Sequence, residues 1–200
     1  MNRLERIAAH HINLGPAYMP YPERHLRIIR DKFHFKKTIE ILKKTYAKTV
    51  LDIGCFDGWL DFLLINEGYK VTGIELMKSL ADSAMRYAYK NAVDYIVHNG
   101  FFEDIKLVDT FDVVLCFETL EHVDLDKSVP LYIEKIDRLA LKGVFISLPD
   151  QPQEQNFQHL WTPTEEIIRS LWGQKRNFKL EYKDYNDIHV PANWFIFYEI

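Results

Sequence analysis

Apolar and polar positions fall into a repeating order along the chain. From Pro22 to Lys48, Leu26, Ile29, Phe33, Ile39, Leu42 and Tyr46 recur mostly at three- and four-residue steps, the spacing of one helix face. Thr49 to Ile53 is a short β-branched run ended by Gly54, which predicts a strand. Trp59 to Glu67 predicts a helix stopped at Gly68, and Tyr69 to Ile74 a second strand running into Glu75. Helix Met77 to Asn91, strand Val93 to Val97, strand Phe111 to Phe117, helix Val129 to Leu141 and strand Gly143 to Leu148 follow. These strands are apolar on both faces, the pattern of a parallel sheet covered by helices on each side. After the polar stretch Asp150 to His159, Thr162-Pro163-Thr164-Glu165-Glu166 opens another helix, with Pro163 suited to its first turn. Phe178 to Tyr185 and Trp194 to Ile200 predict an antiparallel pair closing the sheet. The expected fold class is α/β: three layers, a seven-stranded, mostly parallel sheet with helices on both faces and an antiparallel C-terminal strand. Met1 to Arg30 is broken by Gly15, Pro16, Pro20 and Pro22. With no repeat and no second core, residues 1–200 read as one domain, 1–48 forming a helical extension or lid and 49–200 the core.

Composition narrows the class. The chain has 200 residues, 48% hydrophobic and 27% charged, which excludes a disordered chain and a disulfide-stapled mini-protein. The net charge of -4 argues against broad nucleic-acid binding. No run of about 18 apolar residues predicts a membrane span. Met1 to His10 carries charges and no apolar core, so it does not read as a secretory signal. Cys55 and Cys116 read as two buried thiols in a reducing, cytoplasmic setting. Aromatic residues, at 14%, need room in the core or a pocket.

The first strand leads into Gly54-Cys55-Phe56-Asp57-Gly58, a tight glycine turn before a helix. Glycine lets backbone approach a ligand closely, and ligands of open α/β sheets bind outside the carboxyl ends of the strands. Glu75 ends the second strand, where a carboxylate can accept from both hydroxyls of a ribose. The glycine spacing does not match the G-x-G-x-x-G of dinucleotide binders. It resembles motif I of class I S-adenosylmethionine-dependent methyltransferases, D-x-G-x-G-x-G: Asp52, Gly54 and Gly58 match, and Phe56 replaces the middle glycine. The resemblance covers roughly Lys48 to Leu148. It implies a Rossmann-like sheet and S-adenosylmethionine (SAM) as cofactor, held by Asp52, Gly54, Cys55, Phe56 and Gly58, by Glu75 with Leu76, and by Phe117 along the methionine half. The family's adenine-binding Asp is replaced by Phe101, so Phe101 or Phe102 is the expected wall of the adenine pocket. The fourth strand lacks the Asn/Asp-Pro-Pro-Tyr/Phe clamp of related enzymes that methylate planar amino groups, which favours an oxygen acceptor.

Glu118-Thr119-Leu120-Glu121-His122-Val123 is the segment richest in chemistry. A helical turn starting here places Glu118, Glu121 and His122 on one face, with ligand chemistry for Mg²⁺, Mn²⁺, Fe²⁺ or Zn²⁺. The segment resembles that of the ubiquinone-biosynthesis O-methyltransferases. It also resembles that of the small-RNA 3′-terminal 2′-O-methyltransferases, whose pattern implies Glu118, Glu121, His122 and His159 as metal ligands. The competing reading has no metal: Glu121 caps or pairs, and His122 acts as general base. The expected function is methyl transfer from SAM to a hydroxyl oxygen of a small molecule. Methylation of an RNA end and non-catalytic SAM binding are the alternatives, and the negative net charge ranks the small molecule above RNA. Acceptor specificity falls to Met1–Tyr46 and Asp150–Trp161, which carry no readable code, and the sequence is silent on oligomeric state.

Overall fold

The structure, a computed structural model, describes residues 29–151, 158–173, 178–186 and 191–200. Leu26 and most of the expected lid, 1–48, therefore lie outside the described residues. The elements run α1 (Ile29–Lys44), β1 (Thr49–Ile53), α2 (Trp59–Asn66), β2 (Lys70–Glu75), α3 (Lys78–Lys90), β3 (Ile96–Asn99), β4 (Phe111–Phe117), a single 3₁₀ turn (Leu120–His122), α4 (Val129–Leu139), β5 (Ala140–Pro149), α5 (Glu165–Trp172), β6 (Lys179–Lys183) and β7 (Asn193–Glu199). The seven strands form one sheet in the order β3-β2-β1-β4-β5-β7-β6. β7 runs antiparallel to both neighbours, and the pairings from β3 across to β5 are parallel. The strand order reverses between β1 and β4, which opens a crevice at their carboxyl ends.

The inner strands β1, β4 and β5 are buried on both faces, as their unbroken apolar runs require, while the edge strands β3 and β6 are largely open. Leu51, Ile53, Val114 and Cys116 join Tyr132 and Ile136 of α4 and Ile168 and Trp172 of α5. Val50, Val113 and Leu115 face the other way, onto Leu42 of α1, Leu60 and Leu64 of α2 and Ala84 and Ala88 of α3. Alternate β1 positions thus serve opposite layers. Both cysteines are free and buried, as expected.

Three boundaries differ from the sequence pattern. α1 stops at Lys44, and Tyr46 stands 83% exposed with a left-handed backbone (φ 51°) instead of continuing the apolar face. β3 begins at Ile96 because Ala92 turns left-handed (φ 53°) and the Val93 amide donates to the Ala88 carbonyl, which consumes Val93 to Tyr95 in reversing the chain. α4 ends at Leu139, and Ala140 and Leu141 begin β5 with no intervening loop. The inward stripe of α1 is mostly polar: Asp31, His34 and Thr38 are buried along with Leu42. No helix among the described residues is long and apolar enough to cross a membrane.

Candidate active site

Backbone geometry at the end of β1 sets the first half of the site. Gly54 (φ 81°) and Gly58 (φ 78°) are left-handed, and a Cβ on Gly54 would overlap Thr119 Oγ1. Phe56, between them, is left-handed too (φ 56°). It adopts the conformation a glycine would supply, at a cost of about 1–2 kcal/mol. The loop is tied to β2 by the Gly54 and Cys55 amides, which both donate to the Ile74 carbonyl. Glu75 closes the arrangement. Its carboxylate accepts from the Phe56 amide (3.0 Å) and the Met77 amide (2.6 Å), while burial pushes its pKa up to about 7. Beside it lies a cleft of about 130 Å³ bordered by Gly54, Phe56, Glu75, Leu76 and Phe101. Phe102 also borders this cleft but is only 3% exposed, packed edge-on against Tyr132 with the Lys135 ammonium over its ring. Of the two expected adenine walls, Phe101 is the more open and Phe102 is core.

Asp52 lies beneath the loop on the α2 side. It hydrogen-bonds Asp61 of α2, which in turn accepts from the Tyr95 hydroxyl. Two buried carboxyls in contact cannot both ionise cheaply, and burial raises both; Asp52 rises to about 6.

A second cleft, of about 350 Å³, adjoins the first and shares Gly54, Phe56, Glu118, His122 and Gln158 with it. Cys55, Phe117, Glu121 and His159 line this side. The expected common face of Glu118, Glu121 and His122 does not form. Glu118 is left-handed (φ 48°) and precedes the 3₁₀ turn, so its side chain departs in another direction. Its Oε1 accepts from Ser147 Oγ (3.0 Å) and Asn193 Nδ2 (2.6 Å), and its Oε2 faces Arg30 at 3.6 Å. The structure instead groups Glu121, His122 and His159, whose ligand atoms lie within 4.8 Å of one another.

That grouping is built by a clamp between two segments distant in sequence. The Leu160 amide donates to the Glu121 carbonyl (2.8 Å), and Trp161 Nε1 donates to the Leu120 and Val123 carbonyls (3.0 and 3.1 Å). His122 Nδ1 donates to the Gln158 carbonyl (3.2 Å), which fixes its tautomer and leaves Nε2 toward Glu121 Oε1, 3.8 Å away. Glu121 is 1% exposed, and neither of its oxygens has a hydrogen-bond partner among the described residues. Burial, with Glu118 nearby, holds its carboxyl well above the usual range. A buried carboxyl beside two imidazoles, with its oxygens unused, fits a divalent cation.

Residues 24–186 match the family described as "Methyltransferase domain". The chain belongs to this family. The methyltransferase domain is also 32% identical over 97 residues to a ubiquinone biosynthesis O-methyltransferase of Rickettsia bellii, a match covering 48% of this chain and 40% of that relative. A second such enzyme, from Rickettsia canadensis, is 35% identical over 75 residues, covering 38% and 32%. The curated relatives are thus matched over less than half their length. In fold the domain is similar to magnesium protoporphyrin IX methyltransferase from Synechocystis PCC 6803, solved with S-adenosylhomocysteine bound (TM-score 0.69, 15% identity, 98% of this chain and 92% of that one). It is similar as well to the methyltransferase domain of bacterial CtHen1-CN (TM-score 0.62, 15% identity, 84% and 97%). The domain is of the class that uses SAM. Its cleft fits that cofactor where Glu75 presents a buried carboxylate to the opening.

Sequence reasoning did not find Arg30, Asp31, His34, Ser147 and Asn193, which surround Glu118 from α1, β5 and β7. One signal was readable: polar Asp31, His34 and Thr38 recur at helical spacing in a segment rich in Phe and Ile.

Proposed function

We propose that the domain transfers the methyl group of SAM to a hydroxyl oxygen of a small molecule. The observation that carries this reading is the junction of the two clefts, where Glu118 and His122 border both. Carboxylates and imidazoles there suit an O–H acceptor. The ubiquinone biosynthesis O-methyltransferases similar to this chain support an oxygen acceptor. In this reading the loop Gly54–Gly58 and Glu75 hold the nucleoside, Leu76 and Phe101 flank its base, and Phe117 borders the acceptor side. SAM supplies an electrophilic methyl on a sulfonium, so positioning the acceptor in line supplies much of the catalysis.

Glu121, His122 and His159 would hold a divalent cation, which lowers the pKa of a nearby hydroxyl. His122 as a general base is the competing assignment for the same imidazole, whose Nδ1 is engaged by the Gln158 carbonyl. The Glu/His/His group also favours a second acceptor class, an RNA end. Against RNA, the guanidinium of Arg30 in the acceptor cleft is engaged by Asp31 (3.2 Å) and Glu118 (3.6 Å). A methyl-transfer screen over catechols, sugars and RNA 3′ ends, with and without divalent ions, tests the reading. We expect methylated catechol or sugar hydroxyls and stimulation by a divalent ion. Transfer confined to RNA ends reverses the ranking, and full activity after exhaustive chelation removes the metal.

A further inference from the structure

Phe101 borders the narrow cleft from a tight turn, in which the Asp104 and Ile105 amides both donate to the Phe101 carbonyl (3.0 and 3.2 Å). Upstream, the turn is tied to the end of β2. The Gly100 amide (3.1 Å) and Asn99 Nδ2 (2.9 Å) donate to the Glu75 carbonyl, and Asn99 Nδ2 also reaches the Leu76 carbonyl (2.9 Å). Downstream, it is tied to α4. Phe102 is buried edge-on against Tyr132, and the Tyr132 hydroxyl donates to the Glu103 carboxylate. Lys135 Nζ donates to the carbonyls of Phe102, Glu103 (3.2 Å) and Ile105 (2.8 Å), and lies 4.5 Å from the centre of the Phe102 ring. We infer that Lys135 is a positioning residue of the cofactor site: it sets the turn that holds Phe101 against the nucleobase. The inference rests on the reading above that Phe101 flanks the base, and it adds a residue that lines neither cleft.

Donor accounting carries the argument. An ammonium has three N–H donors and no acceptor. Three carbonyl oxygens converge on Lys135 Nζ, so each donor has a partner. Carbonyls of residues 102, 103 and 105 reach one point only when the backbone between them is curled, and residues 102–104 are a turn. Water could satisfy each of these carbonyls separately, but it would not draw them together. The Phe102 ring adds an attraction for a cation at the same point. The anchor is rigid, because Tyr132 and Ile136 of α4 belong to the core.

What the turn controls is the placement of one ring. Phe101 carries no polar side-chain atom, so its ring acts on a base through contact and stacking alone. Such contact is sensitive to distance: a gap of about 0.5–1 Å forfeits a quarter to a half of the dispersion attraction. A lysine that fixes the backbone on either side of the loop's fold therefore acts on the base without touching it. The upstream tie to the Glu75 carbonyl links the same turn to the carboxylate assigned to the ribose.

A double-mutant cycle read by titration calorimetry with S-adenosylhomocysteine tests the inference, with no acceptor present. Phe101→Ala should weaken binding by at least about 5-fold, the lower end for losing an aromatic ring stacked on a base. Lys135→Met keeps the apolar stem and removes the ammonium, and should weaken binding by about 3- to 10-fold, within the range for groups coupled through a shared backbone. In the Phe101→Ala background the same change should cost less than about 2-fold, because the wall it positions is gone. The pattern should repeat with 5′-methylthioadenosine, which keeps the nucleoside and lacks the amino-acid tail. Lys135→Gln serves in the same cycle if the methionine variant does not fold. A loss from Lys135→Met that is equal with and without Phe101, or that is absent in both backgrounds, overturns the inference. Affinity unchanged by Phe101→Ala contradicts the reading of Phe101 as the base wall and removes the inference with it. An unaltered protein that binds no S-adenosylhomocysteine contradicts the cofactor assignment instead.

Discussion

Glu75 shows how one residue's surroundings become a measurable property. Its carboxylate is raised from 4.5 to about 7 by burial, against the pull of the Met77 and Phe56 amides. A ribose diol donates hydrogen bonds, which favours the ionised carboxylate. Affinity for S-adenosylhomocysteine should therefore rise as pH increases through about 7, with a proton released on binding below that point. Titration calorimetry between pH 6 and 8.5 in two buffers of different ionisation heat checks this. Glu75→Gln should abolish the proton release, and Glu75→Ala should weaken binding by about 1.5–3 kcal/mol if the lost bonds are charge-assisted. A second residue-scale prediction concerns Gly54. Gly54→Ala places a methyl where Thr119 Oγ1 sits and strains a left-handed backbone, so affinity for SAM should fall sharply while the circular dichroism spectrum is retained. Phe56 makes the complementary point: motif matching marked it as a departure from glycine, and the chain pays the strain so that an aromatic ring borders both clefts.

At the scale of elements, the clamp between the 3₁₀ turn and residues 158–161 organises Glu121, His122 and His159. Trp161→Phe keeps the ring and removes both bonds to the Leu120 and Val123 carbonyls. Stability should drop by about 1–3 kcal/mol in urea denaturation, the range for leaving buried carbonyls unpaired. Any divalent-ion affinity of the Glu121 group should fall with it. α1 offers a test with a definite sign. His34 is lowered from 6.5 to about 3, mainly by burial, so it stays neutral when folded and protonates when unfolded. Its contribution to stability is present above pH 6.5 and is lost as pH falls toward 3, at about 1.4 kcal/mol per pH unit. Glu75, with its raised pKa, acts in the opposite sense between 4.5 and 7. The difference between the unaltered protein and His34→Gln isolates the histidine, and the variant's stability should fall less steeply with acid.

The strands and crossover helices were legible because a sheet buried on both faces requires unbroken apolar runs, and β1, β2, β4 and β5 have them. The tight turn after β1 and the acid at the end of β2 were legible because a left-handed turn favours glycine and because Glu75 closes an apolar strand run. Glu118 was misdirected because helical spacing assumes right-handed backbone, and its left-handed φ breaks the face that spacing predicts. The partners of Glu118 were hidden for another reason. Arg30, Ser147 and Asn193 come from α1, β5 and β7, and only the completed sheet brings them together.

For the whole molecule, the sheet separates two tasks along its carboxyl edge. Toward β2 the cleft is narrow, walled by Glu75, Leu76 and Phe101, and suits a nucleoside. Toward β5 and α1 it widens and turns polar, the side to which the proposed function assigns the acceptor. The net charge of -4 sets a background that disfavours long anionic acceptors, and the pairing of Arg30 with Asp31 and Glu118 reinforces it. The central claim is that the methyl group goes to oxygen. The most direct measurement uses SAM carrying a trideuterated methyl and 2-aminophenol, which offers a hydroxyl and an amine on one ring, with the product resolved by mass spectrometry and NMR. The account predicts label on oxygen, with S-adenosylhomocysteine formed in equal amount; label on nitrogen, with none on oxygen, would contradict it.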